Sequence, residues 1–114
     1  MNTIEQDLRR LNNIANMYFA NFKNDKALTH YKKAIDIEKQ LERKDRISIT
    51  YDNMGAVYLD KGNYPKAIKY HELSLKYAKE SGNNGHLIAP LSSLGIVYET
   101  LGEFDKAEDF RLTF

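Results

Sequence analysis

A chain of 114 residues suits one small domain, and its 42% apolar content is sufficient for a core. A formal net charge of +1, with Lys and Arg dispersed among Asp and Glu, leaves no basic stripe for nucleic acid or an anionic membrane. No apolar run approaches the roughly 18 residues of a membrane span, no signal-peptide segment opens the chain, and the absence of cysteine excludes disulfides and thiolate metal sites; a cytoplasmic protein is expected.

Helices are expected at about 4–22, 25–44, 47–61, 64–81, 87–101 and 104–114. The first, third and fifth carry one pattern in three copies 40 residues apart: LNNIANMY (Leu11 to Tyr18), YDNMGAVY (Tyr51 to Tyr58) and LSSLGIVY (Leu91 to Tyr98). The register continues through Phe22, Gly62 and Gly102, through Asn24, Tyr64 and Phe104, and through the pairs Lys26-Ala27, Lys66-Ala67 and Lys106-Ala107. Within each copy the apolar period is helical: Tyr51, Met54, Gly55 and Tyr58 follow the i, i+3, i+4, i+7 rule, and Tyr64, Ala67, Ile68, His71, Leu75 and Ala78 resume it after a break at Gly62. Asn63 is suited to cap the fourth helix, Pro65 stands in its first turn, and Gly62 and Gly102 suit a left-handed helix end. Ser81 to Gly85 reads as a loop, with Pro90 in the first turn of the fifth helix. Ala15, Gly55 and Gly95 fall midway along the first helix of each pair, where tight contact between helices is expected. The whole chain is therefore one all-α domain of helix pairs, with repeats at about 4–44, 47–81 and 87–114.

These residues resemble the tetratricopeptide repeat. Tyr51, Met54-Gly55, Tyr58, Gly62, Tyr64 and Ala67 match the family pattern in order, as do Leu91, Leu94-Gly95, Tyr98, Gly102, Phe104 and Ala107. The first copy is more degenerate, with Ala15 in place of Gly and Phe22 at the turn. The spacing exceeds the family's usual period of about 34 residues and is similar to the lengthened repeats of kinesin light chains and of the spindle-orientation proteins with Leu-Gly-Asn motifs. The resemblance implies a right-handed helical solenoid that binds a protein or peptide on its concave face, without catalysis or cofactor, within a larger signalling or regulatory protein.

Mapped through the motif, the groove positions are Arg9, Asn12, Asn13, Asn16 and Phe19 in the first repeat, Ile49, Asp52, Asn53, Ala56 and Asp60 in the second, and Ala89, Ser92, Ser93, Ile96 and Glu99 in the third. Asn13, Asn53 and Ser93 share one register position, and an amide both donates to and accepts from an extended backbone. Family members that grip the acidic tails of heat-shock chaperones add Lys and Arg to two such asparagines. Asn16 and Asn53 match the amides, but the basic positions fall on Asn12, Ala89 and Ser93, so no chaperone-tail binding is expected.

Other chemistry finds little support. His30, His71 and His86 show no paired ligand at metal spacing, and His71, on the apolar stripe, reads as a packed core residue. Asp52 and Asp60 read as solvated, as does the lysine group Lys23, Lys26, Lys32 and Lys33. No phosphate loop or nucleophile–base pair stands out. The last helix presents Phe104, Ala107, Phe110 and Phe114 as an uncovered apolar stripe. Two alternatives account for it, a longer array that continues the stack or self-association through that end; a homo-oligomer is thus a second expectation beside the groove.

Overall fold

A computed structural model describes residues 3–113. Six α-helices follow one another: α1 (Thr3–Ala20), α2 (Asn24–Gln40), α3 (Lys44–Asp60), α4 (Tyr64–Ser81), α5 (Ile88–Thr100) and α6 (Phe104–Thr113), with a 3-10 turn at Asn84–Leu87 before α5. They pack as the antiparallel pairs α1/α2, α3/α4 and α5/α6, and each pair stacks on the next through α2/α3 and α4/α5. The result is a slab of 48 × 33 × 17 Å, the elongated shape expected when each unit buries its apolar face only against its neighbours.

The turns keep a stricter rhythm than the helices. Phe22, Glu42, Gly62, Gly82 and Gly102, spaced 20 residues apart, all have positive φ, between 55° and 79°. At four of them the backbone closes as a Schellman cap: Lys23, Arg43, Asn63 and Glu103 donate their N–H to the carbonyls of Tyr18, Glu38, Tyr58 and Tyr98, at 2.8–3.0 Å. The register tyrosines thus terminate the first helices as well as packing them. Because Glu42 turns the chain, α2 stops at Gln40 and α3 begins at Lys44, both earlier than the apolar pattern suggests. The Asn63 side chain accepts from the N–H of Lys66 at 3.2 Å, so the expected cap is present.

Each tyrosine is held by the same device. The lysine of its own repeat (Lys26, Lys66 or Lys106) places Nζ 5.6, 5.3 or 5.4 Å from the ring centroid of Tyr18, Tyr58 or Tyr98. The same rings meet His30, Tyr70 and Phe110, with centroids 5.2, 5.3 and 5.5 Å apart. Each cation–π contact is worth about 0.5–1 kcal/mol at such sites, so this device joins the two helices of every repeat. Lys26, expected to be merely solvated, is part of it.

The core runs through Ala15, Ala27, Tyr31, Ile47, Met54, Val57, Ala67 and Val97. At the α3/α4 crossing, Ser48 and Ser74 are fully buried and each donates its hydroxyl to the other's carbonyl, at 2.9 and 2.7 Å. Gly55 is required there: a Cβ on it would lie 2.5 Å from the His71 ring. Gly95 is different from the expectation, since a Cβ would meet Ala107 and Arg111 at an ordinary 3.5 Å.

Candidate functional site

The sequence-predicted groove residues lie on α1, α3 and α5, the first helices of the three pairs, and the structure separates them into three groups. Asn13 and Asn16 of α1 and Ile96 of α5 are exposed, while Asn53 and Ser93 are partly exposed on the same register. A second group is engaged within the protein. Asn12 is 7% exposed and donates its amide to the Leu8 carbonyl at 3.2 Å, so it is withdrawn from the surface. Phe19 packs against the core. Asp52, expected to be solvated, lies instead within hydrogen-bond distance of His71 Nδ1, at 2.8 Å. His71 itself is 1% exposed, in the core as expected. Asp60 forms the third group alone: it accepts from Asn24 Nδ2 at 2.8 Å, linking the first two repeats at their turn edge.

At the first-repeat end, a cleft of about 330 Å³ opens between α1 and α3, lined by Leu8, Arg9, Asn12, Asn13, Asn16, Arg43, Arg46 and Glu5. Arg43 donates to Glu5 at 2.8 Å, bracing the start of α3 against α1. The Tyr31 hydroxyl donates to Asn16 Oδ1. That bond engages the amide oxygen of an otherwise exposed side chain.

Beneath the cleft lies Glu38 of α2, fully buried, a residue that sequence reasoning missed. Thr50 donates to its Oε2 at 3.0 Å, and Arg46 Nε stands 3.8 Å away. Oε1 has no partner among the described residues. Burial pushes the carboxyl up from 4.5 to about 7, the hydrogen bond from Thr50 and the charge of Arg46 opposing it only in part. The one signal available beforehand is the 40-residue register, which sets Glu38 opposite Ala78 on the apolar stripe.

At the other end of the stack, Phe104 is 66% and Leu112 74% exposed. Ala107 is buried, and Phe110 is half-covered because it stacks on Tyr98, so neither contributes to an open stripe as expected. Phe114 lies outside the described residues. Among the described residues no group of His, Asp and Glu is arranged to hold a metal, and no helix is long and apolar enough to cross a membrane.

The repeat geometry has a counterpart in known proteins. The family model described as the tetratricopeptide repeat matches residues 7–80 and 45–110. The chain belongs to the tetratricopeptide repeat family. A curated relative is Protein FLUORESCENT IN BLUE LIGHT, chloroplastic, of Arabidopsis thaliana, 25% identical over 97 residues; the alignment covers 85% of this chain but 31% of the relative. The solved tetratricopeptide domain of Arabidopsis FLU superposes with a TM-score of 0.87 at 24% identity, covering 96% of this chain and 92% of that one. BtubC (BKLC) from P. vanneervenii gives 0.79 at 25% identity, over 90% of this chain and 43% of that one. The N-terminal domain of stress-induced protein-1 from C. elegans gives 0.78 at 17% identity, over 96% and 83%. The right-handed tetratricopeptide solenoid is therefore the fold, and protein interaction is the general role of such repeats.

Proposed function

We propose that this chain is a non-catalytic interaction module that holds an extended peptide, or a segment of a partner domain, along α1, α3 and α5. The observation that carries the reading is the alignment of Asn13, Asn53 and Ser93 at one register position, with Asn16 and Ile96 exposed beside them. Amides at a repeat of one helix pair suit main-chain groups of an extended chain, and Ile96 offers an apolar contact. First helices roughly 10 Å apart accommodate about six to nine extended residues at about 3.3 Å each. Such a contact is small, so affinity is modest unless other segments add to it. The module works within a larger regulatory protein in the cytoplasm; the curated relative, about three times longer than the matched segment, is named as chloroplastic.

Selection from a displayed peptide library tests this. Selected peptides should bind the native chain, lose at least tenfold in affinity on Asn13→Ala with Asn53→Ala, and be unaffected by Lys32→Ala on the exposed side of α2. Peptides indifferent to the asparagine pair would contradict the groove reading.

The second reading, self-association through α6, is favoured by the exposure of Phe104 and Leu112. It requires a concentration-dependent mass in light scattering that Phe104→Ser abolishes. A monomeric mass at every concentration would remove it.

A further inference from the structure

We propose that the cleft between α1 and α3 binds an oxyanion of the partner, a carboxylate or a phosphate group, through Arg9, Arg46 and the amides of Asn13 and Asn16. The proposal rests on the groove reading and names the chemistry of one end of the bound segment. Three of the chain's five arginines line this single cleft, in a protein whose net charge is only +1. Arg43 is committed to Glu5. Arg46 is not held closely: its nearest carboxylate is Glu38, at 3.8 Å, beyond hydrogen-bond distance. Glu38 is a poor counterion because it is fully buried and one oxygen is unpartnered. The cleft therefore holds a guanidinium whose resident partner is weak, beside the exposed amide of Asn16, whose oxygen accepts from Tyr31.

A planar guanidinium fork accepts carboxylate and phosphate oxygens in pairs, and such charge-assisted bonds are roughly twice as strong as neutral ones. An incoming oxyanion takes over Arg46 and leaves Glu38 to the hydrogen bond from Thr50. Glu38 is thus the internal competitor of the ligand. The positive charge comes from positions 9 and 46, not from positions 12, 89 and 93 at which the chaperone-tail clamp would carry it.

The test measures anisotropy of three labelled probes on the full chain: hexaglutamate with an amidated C-terminus, a neutral Ser-Gly peptide, and the same peptide carrying one phosphoserine. Saturable binding of the glutamate probe, the phosphoserine probe or both is expected, with none for the neutral peptide; the responding probe identifies the source of the oxyanion. Arg9→Gln with Arg46→Gln should weaken binding about tenfold or more, whereas Lys32→Gln with Lys33→Gln, an equal charge change on exposed α2, should not. Glu38→Gln should strengthen binding by removing the competitor. Unchanged circular dichroism would show that each variant folds. No binding of either anionic probe, an equal loss in the lysine variant, or weaker binding in Glu38→Gln would overturn the proposal. Library peptides that depend on Asn13 and Asn53 but ignore Arg9 and Arg46 would overturn it while leaving the groove reading intact.

Discussion

Glu38 is ionised only at a cost, because its carboxyl titrates near about 7 in the fold and near 4.5 when exposed. Between those values the folded chain keeps a proton that the unfolded chain has released. The contribution of this group to stability is therefore greatest at low pH and falls as pH rises from about 4.5 to about 7, by a few kcal/mol at most. In urea unfolding, Glu38→Gln should lose that component and exceed the native chain in stability at pH 8, while differing little at pH 4. A variant less stable than the native chain at pH 8 would mean that the charge itself supports the fold. The glycines offer a second comparison. Gly55→Ala drives a Cβ into the buried His71 ring and should destabilise by about 1–3 kcal/mol. Gly95→Ala meets only ordinary contacts and should be neutral or gain up to about 1 kcal/mol from helix propensity; equal thermal shifts for the two would contradict this account of the α3/α4 crossing. At this scale the sequence was only partly legible. A glycine in a helix announces an approach but not its closeness, which depends on whether position 71 or 111 across from it is His or Arg. Asp52 read as a surface residue because its partner, His71 on the next helix, is identified only by packing.

The six helices were legible because their apolar positions recur every three or four residues and again every 40. Their ends were legible where glycine stands at the turn, at positions 62, 82 and 102, and not where Phe22 and Glu42 take the same left-handed conformation. Neither side chain favours that conformation, so the third helix was expected to begin later than Lys44. The strain is testable. Phe22 is 80% exposed and packs little, so Phe22→Gly removes a left-handed penalty of about 1 kcal/mol with little loss of contact. A rise of a few degrees in Tm is expected. A fall would show that Phe22 is held by contacts worth more than the strain.

Over the whole molecule, the stack sets equivalent helices of successive repeats in one register. The first two repeats are linked by Lys61 with Asp25 and Asn24 with Asp60 at one turn edge and by Arg43 with Glu5 at the other, while Lys44 with Glu80 ties α3 to α4 within the second repeat. The core continues from Ala15 of α1 to Val97 of α5, and Asn13, Asn53 and Ser93 keep one register position although 40 residues of chain separate each from the next. The shared register position of the three was legible in the sequence; the arginine cleft and its buried carboxylate were not, because they join residues of three helices with no common spacing. The most direct measurement is a titration of the isotope-labelled chain with a library-selected peptide, followed by amide chemical shifts in NMR. The largest shifts are expected at Asn13, Asn16, Asn53, Ser93 and Ile96, along α1, α3 and α5. Shifts confined to the exposed sides of α2 and α4, or to Phe104 and Leu112 on α6, would contradict it.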